Sequence, residues 1–200
     1  MNHEIKSATV FCSAASTYEP HVKLMQELGR FLVKNHWTLV FGGGSLGLMG
    51  TVLRSVKDAG GKVRGIITGK LLNVELPNPE IYKDGELEIV ETMNVRKHKL
   101  FEYGDIVIIG PGGWGTVDEF SEMAVGIQIG DVKRKPMIFL NADGFWEPLK
   151  KQIATMVDAQ TLDETKLDFI GFADTIDAIL PTIEKVQAQI KASYAIVPEV

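Results

Sequence analysis

The chain has one cysteine, Cys12, which cannot close an internal disulfide, and its four histidines, His3, His21, His36 and His98, are too scattered to form a zinc constellation with it. A disulfide scaffold is excluded, and a metal-free chain in the reducing cytoplasm is predicted. No run approaches the roughly 18 to 20 apolar residues of a membrane span. The apolar stretch Ala8 to Ala15, interrupted by Thr9 and Ser13 and preceded by Glu4 and Lys6, reads as a first core strand and not as a signal peptide. Neither sign of charge dominates: 21 Lys plus Arg stand against 26 Asp plus Glu, a net charge of -5 with no block of like charge. That argues against nucleic acid or an acidic membrane as the main partner. Internal repeats, low-complexity tracts and linkers are also missing. What remains is 200 residues, 45% of them apolar. This is enough for a single domain spanning 1–200 that buries roughly 70% of its unfolded surface.

The apolar residues fall into short runs, each followed by a turn and an amphipathic stretch of helical length. The runs are Thr9 to Cys12, Trp37 to Phe41, Val63 to Ile67, Leu87 to Val90, Asp105 to Ile109 and Met137 to Asn141, with a seventh around Phe169 to Phe172. Helical patterns alternate with them at His21 to Asn35, Leu48 to Ala59, Val95 to Tyr103, Thr116 to Ile129, Gly144 to Asp158 and Thr175 to Ala192. Near-continuous apolar strands such as Ile106 to Ile109 are buried on both faces, which predicts a parallel sheet between two helical layers. The fold class is therefore α/β, a doubly wound Rossmann-like sheet of about six or seven strands. Ligands in such sheets collect outside the carboxyl ends of the strands, so the loops there are the ones to search. The longest, Thr68 to Gly85, is of a length more often functional than idle.

Pro111-Gly112-Gly113-Trp114-Gly115-Thr116-Val117-Asp118-Glu119 lies between an apolar strand and a helix. Its glycines bare backbone N–H groups at a helix start, a place suited to phosphate. The same residues also read as a plain tight turn, or as a Thr116/Glu119 capping box. Gly42-Gly43-Gly44-Ser45-Leu46-Gly47-Leu48-Met49-Gly50 is neither a P-loop nor a convincing dinucleotide fingerprint, and suits close helix packing or a pocket wall. Arg96, Lys97 and Lys99 crowd the start of a helix, where cations oppose the macrodipole. They read either as a solvated face or as a set holding an anion, with Arg96 opposite Glu119 across a pocket. Cys12 reads as a buried small hydrophobe more readily than as a nucleophile. Trp37 and Trp146 read as core, and Trp114 as a pocket wall.

Pro111-Gly112-Gly113-x-Gly115-Thr116-x-x-Glu119, Gly42-Gly43-Gly44-x-x-Gly47-Leu48-Met49-Gly50 and Met93-x-x-Arg96-Lys97 together resemble the LOG ("lonely guy") family of cytokinin riboside 5'-monophosphate phosphoribohydrolases, from about Thr9 to Glu184. The resemblance implies hydrolysis of the N-glycosidic bond of AMP or an N6-substituted AMP, giving free base and ribose 5-phosphate. It assigns Arg96 and Glu119 as the catalytic pair, Gly112, Gly113, Gly115 and Thr116 as the phosphate cradle, and Lys97 and Glu75 as nucleotide contacts. It further implies a homodimer or an assembly of dimers with sites near the interface, and no metal or organic cofactor. A non-catalytic carrier or sensor of nucleotide or molybdenum cofactor is the alternative from the same superfamily. A lysine decarboxylase would need a Schiff-base lysine, and none is recognisable. The chain departs from the family pattern at Cys12-Ser13-Ala14-Ala15, at Thr68 and at Val125-Gly126, all of which bear on the preferred base.

Overall fold

The computed structural model describes residues 4–77 and 79–196; His3 of the histidine set lies outside them. Seven strands alternate with helices: β1 (Ser7–Phe11), α1 (Glu19–Lys34), β2 (Thr38–Phe41), α2 (Gly47–Asp58), β3 (Val63–Thr68), β4 (Leu87–Val90), α3 (Met93–Tyr103), β5 (Ile106–Ile109), α4 (Trp114–Ile129), β6 (Met137–Leu140), α5 (Glu147–Asp158), β7 (Ile170–Ala173) and α6 (Ile179–Ile196). They form one sheet in the order β4-β3-β2-β1-β5-β6-β7, with every pairing parallel. The doubly wound α/β reading holds, with the seventh strand present. β1 sits at the centre, Ala8 lying between Leu39 and Ile106. The strand order reverses between β1 and β5, so their following loops diverge to opposite faces and leave a crevice at the carboxyl edge.

Burial explains the sequence pattern. β5 and β6 are buried at every position, as strands covered on both faces must be, whereas edge strand β4 leaves Ile89 exposed. α1 starts with Pro20 in its first turn, where a missing N–H costs nothing, and turns Leu24, Met25, Leu28 and Leu32 inward. α1 and α2 pack closely because Gly29 has no Cβ; one there would stand 2.5 Å from Ser55 Cβ. α3 is less apolar and is held by charge. Arg64 stacks 3.3 Å over the Tyr103 ring and pairs with Glu88 at 3.3 Å, and Lys99 also binds Glu88.

Several boundaries differ from those read in the sequence, for local reasons. Asp105 stays outside β5 because its carboxylate accepts from the Lys6 and Ser7 amides at 2.8 and 3.0 Å, tying it to the start of β1. α5 begins at Glu147 and not Gly144, since Asp143 and Gly144 take φ of +53° and +71°, outside the helical region. α6 begins at Ile179 because Thr175 to Ala178 close a turn, the Ala178 amide donating to Thr175 Oγ1 at 3.3 Å. No described helix is long and apolar enough to cross a membrane.

Candidate active site

The Pro111–Glu119 segment opens α4 at Trp114, with Gly113 as the residue before the helix. Thr116 therefore lies inside the first turn, and the capping box is ruled out: neither Thr116 nor Glu119 occupies the position that caps. The first-turn amides of a helix have no partner within it. The turn around them is uncrowded, since a Cβ at Gly113 or Gly115 would meet nothing within 4 Å. Gly112 is constrained differently, because a Cβ there would lie 2.1 Å from Thr116 Oγ1. The glycine turn is stitched to the neighbouring loop: Ser13 N donates to Pro111 O at 3.0 Å, and Gly110 N to Phe11 O at 2.8 Å.

Ser13 is the hub of the β1 loop, a role its sequence gave little sign of. Its hydroxyl accepts from the Ala15 and Ser16 amides, both at 3.1 Å, and its carbonyl accepts from the Leu48 and Met49 amides at the start of α2. The second glycine cluster serves close packing, as its spacing suggested. Gly47, at φ +53°, brings α2 so near the β1 loop that a Cβ would fall 2.4 Å from the carbonyl carbon of Ala14. Gly42 and Gly43 offer their carbonyls to side chains from other elements.

One of those side chains is Arg96. It is 3% exposed, and its Nε donates to Ile66 O at 2.9 Å while Nη2 donates to Gly42 O at 3.0 Å. The ends of β2 and β3 thus fix the guanidinium plane. Its Nη1 lies 3.5 Å from Glu119 Oε1, and Nη2 lies 3.6 Å from Glu75 Oε2. A single buried cation therefore faces two carboxylates within one chain. Burial drives Glu119 up to about 7, with Arg96 opposing and Glu75 and Asp118 adding to the rise. Burial likewise raises Glu75, against the pull of Arg96. The same burial, with Glu119 nearby, pushes the Cys12 thiol well above its ordinary value, which suits a packed hydrophobe and not a nucleophile.

The cationic run on α3 divides by helical position. Thr92 caps the helix, its hydroxyl accepting from Val95 N at 3.2 Å. Arg96 and Lys97 face inward, whereas His98 is exposed, 4.0 Å from Glu102. Lys97 binds Asp118 at 3.1 Å and also Glu122, both on α4, and these contacts hold its amine above the usual lysine range. Lys97 therefore clamps α3 to α4 close to the glycine turn.

The long loop after β3 lies over the Arg96 side of the site and contains two short 3-10 turns, Leu71–Asn73 and Pro79–Ile81. Tyr82, absent from the residues picked out by sequence, donates to Gly43 O at 2.6 Å and stacks on Phe41 with ring centroids 6.4 Å apart. The length of the loop was the available signal; nothing singled out this tyrosine. Thr68, at the loop's base, has a buried hydroxyl with no hydrogen-bond partner among the described residues. Two open cavities, of about 630 and 640 Å³, are lined by Lys133, Arg134 and Lys191 and by His36, Trp37 and Lys62 respectively. Neither is lined by Arg96, Glu75, Glu119 or the Pro111–Thr116 turn. Among the described residues no group of three or more His, Cys, Asp or Glu could hold a metal ion.

Residues 49–183 match the family described as "Possible lysine decarboxylase". A probable cytokinin riboside 5'-monophosphate phosphoribohydrolase of Oryza sativa subsp. japonica is 31% identical over 185 residues, covering 92% of this chain and 79% of that protein. A cytokinin riboside 5'-monophosphate phosphoribohydrolase of Arabidopsis thaliana is 34% identical over 177 residues, covering 88% and 80%. Among solved structures, the molybdenum cofactor carrier protein of Chlamydomonas reinhardtii matches 92% of this chain and 99% of its own, with a TM-score of 0.63 at 19% identity, a likeness of fold.

Proposed function

The chain belongs to the LOG family of cytokinin riboside 5'-monophosphate phosphoribohydrolases, and from that premise we propose that it hydrolyses the N-glycosidic bond of AMP or an N6-substituted AMP to free base and ribose 5-phosphate. The observation that carries this reading is the buried Arg96–Glu119 contact at 3.5 Å beside an open helix start. The amides of Gly113, Gly115 and Thr116 bind the 5'-phosphate, and the α4 dipole adds to that attraction. Gly112 keeps the turn close to Thr116. Anchoring the phosphate away from the reacting carbon supplies binding energy that orients the ribose. Glu119, one turn further along α4, stabilises the positive charge that builds on the ribose and orients the attacking water. Arg96 holds Glu119 in place, and Lys97 fixes α3 against α4.

The family description raises pyridoxal phosphate chemistry, and the residues do not fit it. The lysine beside the site, Lys97, is ion-paired with Asp118 and Glu122 and its proton is held more tightly than usual, the opposite of an imine-forming amine. Lys135, whose amine burial lowers to about 8, donates instead to Phe101 O at 2.6 Å and to Gly104 O at the far end of α3.

The protein acts as a cytoplasmic homodimer or assembly of dimers. The one buried thiol, Cys12, supports a reducing compartment, and the exposed apolar residues Trp114, Val125 and Ile129 of α4 support self-association. Chromatography of free base after incubation with AMP and with N6-isopentenyl-AMP tests the activity. Wild type should release base, and Glu119→Gln should release none above background. A Glu119→Gln variant with full activity would remove Glu119 from catalysis. Saturable nucleotide binding without release would favour a carrier or sensor.

A further inference from the structure

Arg96 faces two carboxylates, and the hydrolysis described above gives a chemical task to only one. The second, Glu75, sits in a loop fastened on both sides of it. Glu75 N donates to Leu71 O at 2.8 Å, Ser45 N donates to Glu75 O at 3.1 Å, and Ser45 Oγ donates to Leu76 O. Leu76 takes φ +42° and turns the chain away immediately afterwards. The Glu75 side chain is thereby aimed at the guanidinium, packed over Gly44, where a Cβ would come within 3.0 Å of it. Its Oε2 is buried and has no hydrogen-bond partner among the described residues. A buried carboxylate oxygen without a donor is costly unless it carries a proton or meets a ligand group.

The order of groups across the site matters as much as their identity. The first-turn amides of α4 come first, then Glu119 one turn along, then Arg96 Nη1 at 3.5 Å from Glu119, then Nη2 at 3.6 Å from Glu75. A 5'-nucleotide held by its phosphate at α4 presents ribose and then base in that same order. We infer that Glu75 is the general acid that protonates the departing base, a role that rests on the phosphoribohydrolase reading. In the step, the C1′–N9 bond breaks with its electron pair passing to the base, and the Glu75 carboxyl gives its proton to a ring nitrogen. Water oxygen bonds to C1′ and its proton passes to the Glu119 carboxylate. Base and ribose 5-phosphate leave, and exchange with solvent returns the proton from one carboxyl to the other.

The charged groups facing Glu75 are Arg96, which favours its ionised form, and Glu119, which opposes it across the guanidinium. Tyr82 also faces it, but burial holds the phenol neutral and its proton is committed to Gly43 O. Burial raises the proton affinity of both carboxyls, so the pair retains a proton near neutral pH and titrates as a unit. The growing charge on the ribose keeps Glu119 ionised and leaves the proton on Glu75.

A leaving group that needs no proton separates acid catalysis from mere positioning. The test compares AMP with 4-nitrophenyl β-D-ribofuranoside 5-phosphate, whose nitrophenolate departs as an anion. Glu75→Gln should lower kcat on AMP by about 100-fold or more, with a loss under about 5-fold on the nitrophenyl substrate. Equal losses on both, or none on AMP, would overturn the acid role. The wild type gives a second reading that needs no variant. Its rate on AMP should fall on the alkaline side while the rate on the nitrophenyl substrate does not, and identical profiles would overturn the inference. A wild type that releases no base from AMP would overturn the phosphoribohydrolase reading itself, and this role with it.

Discussion

Glu119 is a carboxyl that the fold holds at a cost. Burial favours its protonated form, lifting it from 4.5 to about 7. Because the folded value lies above the unfolded one, the unfolded chain releases this proton first as pH rises. Stability is therefore lost between about pH 4.5 and pH 7 and stays lost above it, by at most about 3 kcal/mol for this one group. Glu119→Gln removes the charge and keeps the shape. Its thermal unfolding midpoint should exceed that of the wild type at pH 8 and approach it at pH 4, and equal midpoints at both would show that Glu119 is not desolvated. Activity that needs the Glu119 carboxylate should carry the opposite sign on the acid limb of its pH profile, rising there as Glu119 ionises with either leaving group, while the alkaline fall on AMP belongs to Glu75. Arg96 was legible in the sequence as a cation misplaced at a helix start. Its two backbone acceptors, Ile66 and Gly42, were not, because nothing in a linear sequence says which strand ends converge on it.

At the scale of the element, the site depends on how closely β2 and α3 approach. A Cβ on Gly42 would stand 2.1 Å from Arg96 Nη2, so Gly42→Ala must push the guanidinium aside. Displacement of about 1 Å at a catalytic group costs about 100-fold. Steady-state kinetics should show a loss of that size in kcat while circular dichroism reports an intact fold, and unchanged kcat would show that the arginine can yield. The strands were readable from their apolar runs because burial on both faces leaves little freedom of composition. The exact element boundaries were not, since they are decided by single φ values, such as those of Asp143 and Gly144 before α5, or by a carboxylate, such as Asp105 before β5. α3 shows the same limit: its cationic run reads as one patch, yet the helical period sends Arg96 and Lys97 inward and leaves His98 in solvent.

For the whole molecule, the outer face of α4 is the unfinished surface. Trp114, Val125 and Ile129 are 88%, 54% and 66% exposed, and separations of eleven and fifteen residues put all three on one side of a helix. Stable interfaces bury about 1,200 Å² or more in total, and a second copy of this chain is the partner expected there. Sedimentation equilibrium should give twice the mass of one 22.0 kDa chain. A Val125→Glu, Ile129→Glu pair should return it to one, and a wild-type mass of one chain would refute self-association. Trp114 belongs both to this face and to the glycine turn proposed to receive the phosphate, whereas Trp37 and Trp146 are sealed in the core. The indole fluorescence of the protein thus divides into two shielded emitters and one accessible one. Acrylamide quenching of that third emitter, followed as nucleotide is added or the protein diluted, would report filling of the site and loss of the partner without any attached label.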